Sequence, residues 1–459
     1  MSFATLILAA GAGTRMKSTR AKVVHELLGK PLIRWVVDAA QAAGSAETIV
    51  VVGHGREQVM PLVEKDATVV VQDEQGGTGH AIMIARDALG WGKAATSLVV
   101  LCGDVPLITP ATITALVASQ QEGAAAVSML THLLDDPTNY GRVIRDEAGN
   151  VTRIVEEKDA TPHERAIKEC NSAAYCFDLE VLLACLDKLD NNNAQGEYYL
   201  TDVVGICAAE GLVVKAHTVD AEEIQGINSR AQLARATKSA QNRINLAHMA
   251  DGVTMLDPGL VWIGPDVTLE RDVELLPLTL LYGRTRVGTG TTLGPNTRVR
   301  DSTIGCDCTI DESVLAEVVL EDGVSCGPRA YLRPGTVMKT GSKAGTHVEI
   351  KNSQVGVGSK VPHLSYLGDA LLGEGVNIGA GTITCNFDGA TKSPTVIGDH
   401  AFIGSDTMLV APVTLGAKVT TGAGSVITSD VPDGALAVER TKQTVIKDWT
   451  QKHKKEKPQ

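Results

Sequence analysis

Residues 397–428 read IGDHAFIGSDTMLVAPVTLGAKVTTGAGSVIT. Successive six-residue units open on Ile397-Gly398, Ile403-Gly404, Leu409-Val410, Leu415-Gly416, Thr421-Gly422 and Ile427-Thr428. Val287-Gly288 and Leu293-Gly294 share the spacing, as do Leu372-Gly373 and Ile378-Gly379. A period of six fits neither an amphipathic helix nor a hairpin array. It predicts a parallel β-helix of hexapeptide repeats. Each unit supplies a short strand and a corner, the aliphatic side chain points inward, and glycine permits the corner. Three faces close one coil, and coils stack through parallel ladders at ~4.8 Å. The frame breaks at Thr384–Thr395, TCNFDGATKSPT, so a loop must leave the coil there. Protruding loops on solenoids often carry function.

Composition agrees with a narrow core. Only 3% of the 459 residues are aromatic, while 46 are Gly. At ~150 residues per domain the length suggests about three units and allows two large ones. An apolar share of 44% is that of a globular chain. The net charge, 42 − 54 = −12, argues against a nucleic-acid or anionic-membrane surface. No apolar run reaches the ~18 residues of a bilayer span. The start, MSFATLILAAGAG, has no basic region and runs into a glycine loop, so it is expected to be a first strand, not a signal peptide. The nine Cys are scattered with no CxxC, and only Cys306 and Cys308 lie close. That pattern predicts reduced cytoplasmic thiols. The basic Lys452–Lys457 stretch is expected to be a solvated, flexible tail.

In the first half, Thr5–Ala10, Thr48–Val52, Thr68–Val71 and Leu98–Cys102 read as short buried strands. Ile33–Ala43 and His80–Leu89 read as helices between them. Such alternation predicts an α/β unit with a mostly parallel sheet covered on both faces, and ligands beyond the strands' carboxyl ends. Ser229–Met249 has no Gly or Pro, with Ser229 as N-cap and Gly252 as stop, and predicts a connecting helix ~30 Å long. The domains expected are 1–228, a linker helix 229–250, and a repeat domain 251–459.

Leu8–Lys22, LAAGAGTRMKSTRAK, follows the first strand. Gly11 and Gly13 let backbone N–H groups approach a phosphate, and Arg15 and Lys22 add charge. No GK[ST] follows, and the third Gly of a dinucleotide fingerprint is missing. A lone GxG is usually only a turn. Val99–Leu107, VVLCGDVPL, places Asp104 after a strand, where one carboxylate at a phosphate site is a natural Mg²⁺ ligand. Gln72–Thr78, QDEQGGT, offers groups able to read a base edge.

The Leu8–Lys22 string resembles the signature of sugar-nucleotide pyrophosphorylases. Together with the repeats, the chain resembles the family of bifunctional bacterial N-acetylglucosamine-1-phosphate uridylyltransferases and glucosamine-1-phosphate N-acetyltransferases. The likeness runs over nearly the whole length and is weakest over about 250–300. It implies a Rossmann-like nucleotidyltransferase sheet, a long helix and a left-handed parallel β-helix. It implies that Leu8, Ala9, Ala10, Gly11, Lys22, Gln72, Gly77 and Thr78 bind nucleotide, with Arg15 on the UTP phosphates. Cys102, Gly103 and Asp104 match the metal motif, in which Asp104 and, from GINSR, Asn228 hold Mg²⁺. Gly141, Glu156 and Asn171 match sugar-binding positions. Ala21, Cys102, Ser172 and Ala173 depart from the usual residues, which bears on fine sugar contacts more than on the reaction.

In the repeat region, Arg333, Glu349, Lys351, His363, Tyr366, Asn377, Asn386 and Arg440 exceed what a structural coil needs. Acetyl transfer to an amine requires a base. A lone His is more often structural, yet His363 interrupts the hexads beside a polar stretch. Glu349 is the candidate to orient it. The resemblance implies that His363 is the proton acceptor and that Arg333, Lys351, Tyr366 and Asn377 bind the sugar phosphate. It assigns Ala380, Asn386, Phe387, Ser405, Ala423 and Arg440 to acetyl-coenzyme A. Phe387 lacks the hydroxyl of the more usual Tyr, and Pro362 replaces a frequent Gly. The family's activities are acetylation of glucosamine-1-phosphate, then uridylyl transfer from UTP to N-acetylglucosamine-1-phosphate, for envelope precursors, in a cytoplasmic homotrimer. The alternatives are a monofunctional sugar-1-phosphate nucleotidylyltransferase with a structural β-helix, and a non-catalytic hexapeptide scaffold.

Overall fold

The computed structural model describes residues 2–89 and 95–452. Beyond Lys452, the expected tail lies outside the described residues. The chain divides between Ala240 and Gln241 into two compact units.

In the first unit the β-branched runs form Phe3–Ala9, Glu47–Val52, Thr68–Val71 and Ser97–Cys102, all parallel. Successive side chains point to opposite faces of a strand. Ala4 and Leu6 therefore join one apolar cluster while Phe3, Ile7 and Ala9 join another, so the sheet is covered on both sides. Across the sheet the order is Val214–Thr218, Val127–Leu133, Glu169–Asp178, Ser97–Cys102, Phe3–Ala9, Glu47–Val52, Thr68–Val71. Glu169–Asp178 is antiparallel to both neighbours, the exception in the expected mostly parallel sheet. It follows the hairpin Arg142–Arg145 and Val151–Val155, and a return without a crossover helix runs antiparallel.

The long helix spans Arg230–Ala250. Ser229 Oγ accepts from the Gln232 N–H at 3.2 Å, so Ser229 is the cap, as expected, and the helix begins at Arg230. At the other end Gly252, at φ 96°, donates to Met249 O, and the Val253 N–H donates to His248 O at 3.0 Å. This left-handed close satisfies the last carbonyls.

The second unit stacks three parallel sheets of 11, 10 and 9 strands. The hexad side chains Ile397, Ile403, Leu409, Leu415, Thr421 and Ile427 are buried. Phe402 pairs with Thr420, 18 residues on, whereas Asn377 pairs with Phe402, 25 residues on. The extra residues form the excursion 386–394, between Ile383–Cys385 and Thr395–Ile397.

The hexad glycines serve a different purpose from the corner expected of most of them. Gly398, Gly404 and Gly416 are not among the positive-φ residues, whereas His400, Asp406 and Lys418 are. A Cβ at Gly404 would lie 2.5 Å from Thr421 O of the next coil, and one at Gly398 would lie 2.5 Å from Ala417 N. These glycines admit close coil stacking, and the left-handed corners fall to polar residues and to other glycines such as Gly290, Gly341 and Gly424, while Gly294, at φ 109°, does adopt such a turn. The Cys306–Cys308 pair follows the same geometry. Cys308 is buried with its thiol 3.2 Å from Glu321 O, Cys306 donates its N–H to Asp322, and neither is in a disulfide. Among the described residues no helix is long and apolar enough to cross a membrane, and no His/Cys/Asp/Glu group of three or more is placed to hold a metal.

Candidate active sites

At the carboxyl ends of Phe3–Ala9 and Ser97–Cys102 lies a pocket of about 300 Å³. Leu8, Ala9, Ala10, Gly11, Lys22, Gln72, Gly77, Thr78, Cys102 and Asp104 line it, joined by Val23, Gln75, Ala81 and Glu197. Glycine makes this packing possible at two points. Gly13 sits at φ 59°, and a Cβ there would meet Lys22 Cβ at 2.6 Å. Gly77, at φ 101°, has Tyr198 O at 2.7 Å from the same position. The loop is held by Gln72 Nε2 donating to Gly77 O and by Leu200 N–H donating to Thr78 Oγ1. Gln75 Nε2 donates to Ala10 O at 3.0 Å.

Lys22 Nζ forms an ion pair with Asp104 Oδ2 and donates to Asn228 Oδ1 at 3.0 Å. The Ile227 N–H donates to Asp104 O, fixing the turn that carries Asn228. A Cβ at Gly226 would come within 3.4 Å of the Asp104 carboxylate. Burial and the Asp104 charge push the Cys102 thiol up to about 12, so it is no nucleophile at neutral pH. Arg15 stands exposed on the turn Thr14–Met16 and is not among the pocket-lining residues.

Gly141 and Glu156, just outside the ends of Arg142–Arg145 and Val151–Val155, converge on Asn171 of Glu169–Asp178. A Cβ at Gly141 would meet Asn171 Cβ and Glu156 Oε2, both at 3.5 Å. Asn171 donates to the Tyr175 hydroxyl at 2.7 Å, and its Oδ1 accepts from the Ala173 N–H. Ala173 is held at φ 57°. Burial pushes the Glu156 carboxyl up, opposed by its bond from Thr201 and reinforced by Asp202, Asp159 and Glu197. His132, on the next strand, is buried with neither ring nitrogen partnered, and burial holds it down to about 4.

On the β-helix, Lys360, Asn377, Phe402 and Thr420 pair in one column. His363, Ala380, Ser405 and Ala423 each stand three residues beyond a member of it, so they stack along one corner. At ~4.8 Å per coil these four residues span roughly 14 Å. On the adjoining face Tyr331, Glu349 and Tyr366 share a column, with Arg333 and Lys351 two residues on. Arg333 donates to Glu349 Oε1 at 2.7 Å and lies over the Tyr331 ring. Glu349 is thus engaged by Arg333, not by His363, as its place on a different sheet dictates. Asn377 stands on the His363 sheet, apart from that group.

The excursion loop folds back onto this face. Asn386 donates to Asp369 Oδ2 at 2.6 Å, and a Cβ at Gly368 would meet the Tyr366 hydroxyl and Asn386 Nδ2. Lys392 comes close to Lys351, and the repulsion of its charge holds the Lys351 ammonium below the ordinary lysine range. Phe387 is exposed on the same loop. Arg440 Nη1 donates to Ala423 O at 3.1 Å.

Two domain families match the chain. Residues 5–157 match the MobA-like NTP transferase domain, and residues 394–429 match the bacterial transferase hexapeptide in six repeats. Over 451 residues the chain is 50% identical to the bifunctional protein GlmU of Heliobacterium modesticaldum, covering 98% of each. It is 48% identical over 447 residues to that of Caldanaerobacter subterraneus, covering 97% of each. The chain belongs to the GlmU family.

As a GlmU protein it is a bifunctional transferase of UDP-N-acetylglucosamine synthesis, with uridylyltransferase and glucosamine-1-phosphate N-acetyltransferase activities. UTP, sugar phosphate and acetyl-coenzyme A are its substrates. The monofunctional and scaffold alternatives fall away. The sequence reading did not single out three residues at these sites. Gln75 lines the pocket from within the Gln72–Thr78 stretch without having been singled out, Glu197 from a stretch given no role, and Lys392 is an unremarkable lysine until the loop folds back.

Proposed function

We propose that the two GlmU activities occupy these two sites: uridylyl transfer in residues 1–228, acetyl transfer in 251–459, with 229–250 connecting them. The observation that carries the first assignment is that Lys22, Asp104 and Asn228, far apart in sequence, meet in one pocket. Asp104 Oδ2 and Asn228 Oδ1 converge on a single cationic atom. Two hard oxygen donors in that arrangement fit Mg²⁺, which takes few protein ligands and completes its shell with phosphate and water. When bound, Mg²⁺ offsets the charge of two anions that must meet. Gln72 and the loop through Gly77 and Thr78 hold the base. The backbone around Gly11 faces the phosphates, and Lys22 and Arg15 carry positive charge to them. Gly141, Glu156 and Asn171 orient N-acetylglucosamine-1-phosphate. Its phosphate oxygen is already anionic, so attack on the α-phosphate of UTP needs no general base, and alignment dominates.

In the second unit, Arg333, Lys351 and Lys392 form a cationic face for the phosphate of glucosamine-1-phosphate, with Tyr366, Asn377 and Asn386 around the sugar. His363 takes the amine proton as nitrogen attacks the thioester carbonyl. Ala380, Ser405 and Ala423 offer a corner with little side-chain bulk beside which acetyl-coenzyme A can lie, with Phe387 and Arg440 contributing. Exposed Tyr331, Phe402 and Val426 on the flat faces support a homotrimer, and a cytoplasmic setting belongs to the same reading.

The test mixes the protein with glucosamine-1-phosphate, UTP and Mg²⁺, with and without acetyl-coenzyme A, and identifies products by mass spectrometry. UDP-N-acetylglucosamine formed only with the acetyl donor is the expected result. A non-acetylated UDP-sugar in both tubes overturns the acetyl-transfer assignment.

A further inference from the structure

Two turns carry the groups that meet in the uridylyl pocket. One is the short helical turn Lys22–Val24, closed by the His25 N–H donating to Lys22 O at 3.3 Å. The other runs from Gly226 to Ser229, where the long helix begins at Arg230. They are tied twice. Lys22 Nζ donates to Asn228 Oδ1, and Arg230 Nη1 donates to His25 Nδ1 at 3.2 Å. Arginine has no acceptor, so the Nδ1 lone pair receives this bond and the neutral ring carries its proton on Nε2.

The His25 ring is only 3% exposed, and its Nε2 is buried with no partner. Buried polar groups are nearly always satisfied, and exceptions gather at sites where position matters more than stability. Burial, Arg230 and Arg20 together hold the His25 ring below the usual imidazole range, which keeps it an acceptor.

The two ties differ in what turnover does to them. A lysine that neutralises a phosphate must release Asn228. The His25–Arg230 bond touches no reacting group and persists. We propose that His25 and Arg230 are positioning residues that brace the Lys22 turn against the Asn228 turn during uridylyl transfer. This rests on the assignment of Lys22 and Asn228 to that reaction.

Substituting the acceptor decides it. Asn places its amide oxygen near the position of Nδ1, whereas Phe keeps the ring and removes the acceptor. H25F is expected to lower kcat for uridylyl transfer roughly 10- to 100-fold, the scale of a small misalignment. Binding of UTP with Mg²⁺, by calorimetry without sugar phosphate, is expected to stay within about twofold, and acetyl transfer to stay unchanged. H25N is expected to restore kcat to within about threefold. R230A, at an exposed position, is expected to repeat the H25F loss in a folded protein. An unchanged kcat in H25F and R230A, or equal loss in H25N and H25F, overturns the brace. K22A separates the two levels of the argument: retained uridylyl transfer there overturns the pocket assignment itself.

Discussion

In the first unit, Lys22 and Asn228 meet across 206 residues of chain, and the pocket that Lys22 lines is closed by side chains from many segments. In the second, His363, Ala380, Ser405 and Ala423 reach one corner by repeating a register, and every partner lies one coil away. One site is a cleft whose parts are brought together by folding the whole sheet. The other is a stripe on an open surface, with His363 exposed. Solenoid interactions are between neighbours, so damage there stays local, while a pocket built from distant segments fails as a unit.

The largest expected effect is on the cleft. Asp104→Ala removes a carboxylate that pairs with Lys22, and uridylyl transfer should fall below detection while acetyl transfer persists. Turnover retained at saturating Mg²⁺ would break the comparison by removing Asp104 from the site. Next, His363→Ala should lower acetyl transfer by roughly 10²–10⁴-fold, the usual worth of a general base, and leave uridylyl transfer intact. A matched fall in both activities of a folded protein would mean the two sites are not independent.

Acid should separate the units further. His132 is buried with its folded pKa near 4, below its unfolded value of 6.5. The unfolded chain therefore takes up the proton first. The stability linked to this ring is present above pH 6.5 and lost as pH falls towards 4, by up to about 3 kcal/mol. The repeat core instead buries hydroxyls such as Thr279, Thr291 and Thr297, each bonded to a carbonyl. Urea unfolding at pH 7 and pH 5 should show the first unit weakening, and His132→Leu should flatten that change. An identical pH 5 loss in the variant would remove His132 as the cause. The smallest effect is expected from Lys392→Ala. Losing one exposed cation should raise KM for glucosamine-1-phosphate by about fivefold with kcat little changed. A change in kcat alone would place Lys392 elsewhere in the reaction.

Much of this was legible in the sequence, for different reasons in the two halves. The hexad spacing announced the β-helix because one coil's neighbours are the next coil's copies, and a narrow core accepts only aliphatic or small side chains. The four parallel strands named in the first unit were legible to within two residues, since β-branched runs bounded by polar residues have few other solutions, whereas the other strands of that sheet were not read. The antiparallel strand Glu169–Asp178 was not, because its direction follows from the hairpin before it. Gly294 takes the left-handed turn expected of it, but the value of Gly398, Gly404 and Gly416 lies in a neighbouring coil's backbone, which no local pattern contains.

The site residues divide the same way. Lys22, Asp104 and His363 stood out because their residue types and settings point to chemistry. Glu349, expected to orient His363, pairs with Arg333 instead. A column position says which rung a residue occupies, but only the folded coil shows that Arg333 lies nearer than His363. Lys392, Gln75 and the His25–Arg230 bond had no signal, since each depends on a loop or turn arriving from elsewhere. Period and residue type, properties of short stretches, were enough for the architecture and the reaction chemistry. Which side chains touch, and which polar atoms stay buried without a partner, depended on long-range packing, whose free energy is shared among many segments and is written in none of them.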